Sequence, residues 1–260
     1  MDPQAYQAFT EALLHKLEHD ARVLALMAAG SMAQQSHPPD EWSDHDFWLI
    51  VEPDARAWFH TRSEWLPDSD QLVLFFREPH GGFKALYRSG HLLEFAVSDR
   101  EGMLHARVND YRLLIDRIGL AADLARMHAA TVADFQHATG DDVSLLGQFM
   151  TNLLVGVGRY RRGEQLSARQ LITLSSLYSL LQLIPKHIPA ERPVPLDNLD
   201  PLRRAELAYP TLGAEINRLV RLELEQAAAG LLDLADRLLR DRLAEYPAEA
   251  VETVRRCILR

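Results

Sequence analysis

A single cysteine, Cys257, stands among the 260 residues. No internal disulfide and no thiolate metal cage can form, and the expected compartment is a reducing cytoplasm. Lysine is scarce too, since Lys16, Lys84 and Lys186 are all there are among 28 basic residues. Acidic residues number 37, for a formal net charge of -9, which argues against nucleic acid and for a cationic small molecule as partner. Long apolar runs are missing. The uncharged stretch Gln170 to Pro185 spans 16 residues and contains Thr173, Ser175, Ser176 and Ser179; roughly 20 apolar residues are needed to cross a bilayer, so it predicts a buried helix and no membrane partner. Met1 to Asp20 interleaves Glu11, His15, Lys16, Glu18 and His19 with its apolar residues, which predicts no secretory signal. Glycine and proline number only 13 each, excluding collagenous and low-complexity chains.

What is present is ordinary globular material, 47% hydrophobic and 25% charged, in a length that suits one large or two modest domains. The charge is uneven: residues 1 to 118 carry 11 basic and 19 acidic residues, residues 119 to 260 carry 17 and 18. Patterning shifts near the same place. Gln4 to Asp20 has apolar residues at helical spacing behind Asp2 and Pro3, a helix start. Short apolar runs bounded by turn residues predict strands at Val23 to Ala29, Phe47 to Val51, Leu72 to Phe76, Phe83 to Arg88, Leu92 to Val97 and Leu113 to Asp116, with Ser89 and Gly90 making a tight hairpin. From Leu120 onward apolar residues recur at three and four, as in Ile216, Leu219, Val220 and then Leu231, Leu234, Ala235, Leu238. Pro185, Pro189, Pro193 and Pro195 mark a loop between helices. The expected fold is therefore α+β: a mixed-sheet domain over residues 1-118, then an all-helical bundle over 119-260. Helices beginning near Asp141 are expected to cover an apolar face of the sheet, and Gly156 and Gly158 to permit close helix packing.

Chemistry concentrates between Ala28 and Val51. A strand ending in Gly30 and Ser31 and turning into a helix offers backbone N–H groups and a hydroxyl to an anion. Many such turns serve the backbone alone. Asp44 and Asp46 lie two apart at the head of the next strand, so the period-2 alternation sets both carboxylates on one face and His45 on the other. Holding like charges together is costly unless a cation joins them, and Mg2+ with its oxygen ligands is the usual solution. A third carboxylate should come from a neighbouring strand. Glu94 interrupts an apolar run, His91 to Val97, where a charge is expensive unless paired or metal-bound; the other reading makes it a partner of Lys84 or Arg88 across the hairpin.

These pieces, Gly30-Ser31, Asp44-His45-Asp46 and Glu94, resemble the nucleotidyltransferase superfamily that includes DNA polymerase beta, and especially its small antibiotic-modifying aminoglycoside and lincosamide adenylyltransferases. The motif resemblance covers about residues 22 to 118. A departure is that Met32, Ala33, Gln34 and Gln35 stand where the family usually places a small residue, a basic residue and a second glycine. The resemblance implies an enzyme that moves a nucleoside monophosphate, AMP from ATP, to a hydroxyl of a cationic acceptor such as an aminoglycoside or lincosamide. It implies a triphosphate against Gly30 and Ser31, two Mg2+ ions on Asp44 and Asp46, and Glu94 as third ligand or general base. A protein or nucleotide acceptor, or a non-catalytic nucleotide-binding module, stays open beside it.

Weaker signals surround the motif. Arg159, Arg161 and Arg162 could lean onto a phosphate or simply end a helix. Trp42, Trp48, Trp58 and Trp65 could form an aromatic wall, although Trp48 suits the core. Zinc on His37, His45 and the aspartates is disfavoured, because alternation sends His45 away.

Overall fold

The computed structural model describes residues 1–260 except 36, 80, 139, 140 and 198, and of residues 134–138 the backbone only. Contacts divide the chain into two compact units, Met1–Ala133 and Asp134–Arg260.

The first unit opens with α1 (Pro3–Glu18), started by Asp2, whose Oδ1 accepts from the N–H groups of Gln4 and Ala5 at 3.0 and 2.9 Å. Tyr6, Phe9, Leu13 and Leu17 form its buried face. A six-stranded mixed sheet follows in the order β3-β4-β5-β2-β1-β6. Its strands are β1 (Val23–Ala29), β2 (His45–Val51), β3 (Leu72–Arg77), β4 (Phe83–Tyr87), β5 (Leu92–Ser98) and β6 (Tyr111–Asp116). Each lies where the apolar runs put it. β2 and β5 run parallel and the other neighbours antiparallel. The β4–β5 hairpin closes through Gly90 at φ +87°, a left-handed conformation natural to glycine.

Alternation along β1 divides the core. Leu26 and Ala28 join Tyr6, Phe9 and Leu13 of α1, with Phe59 of α3 (Arg56–Thr61). Ala25 and Met27 join a second cluster on the opposite face with Met103 of α4 (Arg100–Met103), Val108, and Leu120 and Leu124 at the start of α5 (Ala121–Ala138). β1 is thus packed on both faces. A one-turn helix, α2 (Gly30–Ala33), leaves the end of β1.

The second unit is helical: α6 (Asp142–Arg161), α7 (Gln165–Gln170), a wide turn at Leu171–Ser175, α8 (Ser176–His187), α9 (Ala205–Ala208), α10 (Pro210–Leu219), α11 (Leu224–Leu239) and α12 (Ala248–Ile258). Gly156 admits the run after α7 to close range, because a Cβ there would meet Ile172 Cγ1 at 2.5 Å. Gly158 has no such duty; its Cβ would make only ordinary contact, with Arg162. Pro185 lies inside α8 rather than in the following loop, near enough to the helix end for the missing hydrogen bond to be tolerated. The buried residues of α6 join a core built wholly of this unit, with Leu180, Leu231 and Val251. Within the first unit, α4 and the start of α5 pack on the second face of the sheet.

Phe149 of α6 is fully buried in that core. Phe149→Ala is expected to lower stability by about 3–5 kcal/mol, read as a shifted urea midpoint of the helical transition; a change under about 1 kcal/mol would contradict this packing.

Candidate active site

The carboxylates of Asp44, Asp46 and Glu94 converge. One oxygen from each lies within 4.8 Å of the others, and all three residues are half-buried. Parallel pairing of β2 with β5 puts Asp46 directly opposite Glu94, and Asp44 precedes β2 by one residue. His45 points the other way, as alternation requires.

Gly30 approaches from β1. Its φ of +51° is left-handed, and a Cβ would sit 2.7 Å from Asp46 Oδ2, so glycine is required by both backbone and space. Ser31 follows, with its hydroxyl buried and no hydrogen bond of good geometry among the described residues. The five residues that the motif singled out therefore share one end of the sheet.

Lys84 Nζ donates to Glu94 Oε1 at 2.6 Å and lies 3.5 Å from Glu78 Oε1. The two readings of Glu94 hold together: it pairs across the hairpin and belongs to the acidic cluster. The bond to Glu94, before any other cause, raises the Lys84 pKa above its ordinary value. A carboxylate has two oxygens and several lone pairs, so accepting from Lys84 leaves it capacity to ligate. Three carboxylate oxygens at such spacing fit a hard divalent cation such as Mg2+.

A buried aromatic cluster backs the motif. The Tyr6 hydroxyl donates to the carbonyl of Asp44 at 2.9 Å, and its ring stacks on His45 at 3.8 Å. His45 Nε2 hydrogen-bonds Thr10 Oγ1 at 2.9 Å. His91 meets His45 edge-on at 4.8 Å, and Phe9 closes over both. Burial pushes the Tyr6 phenol up to about 12, opposed by the neighbouring Ser31 hydroxyl and seconded by Asp46 and Asp44. Burial likewise drives His45 down to about 3, helped by His91, and His91 down to about 4. Both histidines are thus neutral at physiological pH, and His45 is closed off from any role as a metal ligand.

The weaker signals resolve otherwise. In the helical unit Arg159 donates to Ser167, Arg161 to Glu225 Oε1 at 2.6 Å and to the Ile258 carbonyl, and Arg162 to Glu164 at 2.9 Å. Each of these arginines is engaged by groups of its own unit. The tryptophans form no wall. Trp65 is buried, Trp58 lies under the Arg22 guanidinium at 4.1 Å, Trp48 packs on the second cluster, and only Trp42 is exposed, at 86%.

No family model matches the chain, and no curated protein matches it. Among solved structures it is similar to an aminoglycoside 6-adenyltransferase from Bacillus subtilis, at 13% identity and TM-score 0.38 over 97% of each chain. A c-di-GMP synthase from Capnocytophaga granulosa aligns at 10% identity and TM-score 0.30, over 98% of this chain and 78% of that one. The CCA-adding enzyme of Thermotoga maritima aligns at 13% and 0.34, over 98% and 70%. At this level of likeness the chain's own residues have to carry any functional reading.

The neutral histidines set an acid limit on stability. Unfolding returns each to its ordinary pKa near 6.5, so below that pH the unfolded chain takes up protons that the folded one refuses, and stability falls. The loss is about 1.4 kcal/mol per pH unit for each histidine, and for His91 it levels off near pH 4. His91→Phe should flatten the fall of the urea midpoint between pH 6.5 and 4; an unchanged slope would contradict the burial described.

Proposed function

We propose that the chain is a Mg2+-dependent nucleotidyltransferase that moves a nucleoside monophosphate, AMP from ATP, onto a hydroxyl of a small cationic acceptor of the aminoglycoside or lincosamide kind. One observation carries this reading: three carboxylates, on two parallel strands and at the entry to one of them, within 4.8 Å of one another, with Gly30 fitted against one of them. Nothing in ordinary packing gathers like charges this way, and one lysine neutralises only part of them.

In this reading Asp44, Asp46 and Glu94 hold Mg2+, which when bound neutralises charge on the phosphates and on the leaving pyrophosphate. Gly30 lets the backbone approach the triphosphate, and Ser31 adds a hydroxyl beside it. The acceptor oxygen forms a bond to the α-phosphorus, while the bond from that phosphorus to the oxygen bridging to the β-phosphate breaks. Pyrophosphate leaves with the electron pair, and the hydroxyl proton passes to a carboxylate of the site or to water. Lys84 screens the carboxylates before a cation arrives, and Glu78 offers it an alternative partner when Glu94 turns to metal.

The domain roles follow the same reading: residues 1-118 bear the nucleotide chemistry and the helical 119-260 the acceptor. Support comes from a cavity of about 290 Å³ in the helical unit, lined by Leu177, Leu181, Leu212 and Ile216 with Glu206 and Tyr209. An apolar wall with a carboxylate suits an amine-bearing molecule. The acidic balance of the chain favours a cationic acceptor in the same direction.

The experiment incubates the protein with Mg2+, each nucleoside triphosphate and a panel of aminoglycosides and lincosamides, and reads product mass. The expected product is an acceptor heavier by AMP. Asp44→Asn and Asp46→Asn should each abolish it while keeping or raising the melting temperature by relieving repulsion, and Glu94→Gln should cut kcat roughly a hundredfold or more. Product formed by Asp46→Asn at the wild-type rate would sink the metal assignment.

A further inference from the structure

The turn after β1 brings no positive charge of its own, since Gly30 to Gln35 contains no basic residue. A cation from the sheet, Arg112, reaches it. It stands on β6 opposite Ala28 of β1, two residues before Gly30, and its Nη2 donates to the Met32 carbonyl inside the turn at 3.1 Å. The end of the turn is tied to the same strand, for Gln35 Oε1 accepts from the Tyr111 N–H at 3.2 Å.

Arg112 differs from other arginines of the first unit. Arg22, Arg56 and Arg100 each hold a carboxylate, on Asp20, Asp99 and Asp123. Arg112 is half-buried, pairs with no carboxylate among the described residues, and leaves its Nε buried without a hydrogen-bond partner. Buried guanidinium donors left empty cost free energy and call for a partner. Ser31 Oγ, buried in the same turn with no hydrogen bond of good geometry among the described residues, neighbours the Tyr6 hydroxyl. Charge from Arg112 also acts on the Tyr6 hydroxyl, the group that holds the Asp44 carbonyl and feels both aspartates. A cation with spare donors therefore stands beside the turn and within electrostatic reach of the acidic cluster.

We infer that Arg112 is the phosphate-gripping residue of the nucleotide site, supplying from β6 the charge that the Gly30–Gln35 turn lacks. The inference rests on the nucleotidyltransferase reading above and adds to it a residue from a strand that the motif does not include. A guanidinium fork suits two phosphate oxygens at once and stays charged at any working pH. Its bond to Met32 fixes one end of the fork, and Nη1, which makes no hydrogen bond among the described residues, is the donor left for the ligand.

The test measures binding, by calorimetry on the whole chain with Mg2+ present, of ATP, inorganic tripolyphosphate and adenosine, to wild type, Arg112→Met and Arg112→Lys. Arg112→Met is expected to weaken ATP and tripolyphosphate roughly tenfold to a hundredfold, the range for a charge-assisted hydrogen bond, and to leave adenosine unchanged. Arg112→Lys should recover part of the loss. Equal loss for adenosine and tripolyphosphate with a lowered melting temperature would show that Arg112 only braces the turn, and unchanged tripolyphosphate binding by Arg112→Met would equally overturn the inference. Failure of the wild type to bind either ATP or tripolyphosphate would remove the nucleotide reading itself, an outcome distinct from wild-type binding that ignores Arg112.

Discussion

Three carboxylates with their oxygens inside 4.8 Å of one another repel, and the architecture around them exists to hold them there. Coulomb repulsion between unit charges at such distance amounts to roughly 1 kcal/mol in water and several times more at the edge of a protein. The parallel register that sets Asp46 against Glu94 resists it, because moving either strand would break the ladder on both sides. Lys84 relieves part of it. The absent side chain at Gly30 leaves Asp46 room to stand where it does.

Support comes from behind as well as from beside. α1 supplies a phenol to the Asp44 carbonyl and a flat ring under His45, so the strand entry between the two aspartates is clamped through its backbone and its middle residue. The arrangement costs stability, since His45 Nδ1 and His91 Nε2 are buried without partners among the described residues. Unsatisfied buried nitrogens beside an acidic cluster are what a site held in place against its own preferences looks like, and proteins concentrate such exceptions where function requires them.

Much of this was legible in the sequence for identifiable reasons. Strands β1 and β5 announce themselves as apolar runs stopped by Gly30 and by Ser98, and Asp44, Asp46 and Glu94 stand out because charges beside or inside such runs demand an explanation. Alternation alone put His45 on the hidden side. Long-range partners were not legible. Nothing local tells that Tyr6 reaches Asp44, or that Arg112 lies across from Ala28, because both facts depend on which strand and helix become neighbours. The arginines after Gly158 could be read two ways for a related reason: Glu225 and Ile258, the partners of Arg161, are remote in sequence. The tryptophans, close in sequence, scatter because β2, α3 and the loop after it carry them in different directions.

The proposed function stands or falls with the binding of divalent metal and a triphosphate at the acidic cluster. Its most direct test is electron paramagnetic resonance of Mn2+ titrated into the protein with a non-hydrolysable ATP analogue. Loss of the free-ion signal is expected, with nucleotide-dependent uptake that disappears in the Asp44→Asn, Asp46→Asn double variant; a free-ion signal undiminished by the wild-type protein, or uptake retained by the double variant, would contradict metal binding at this cluster.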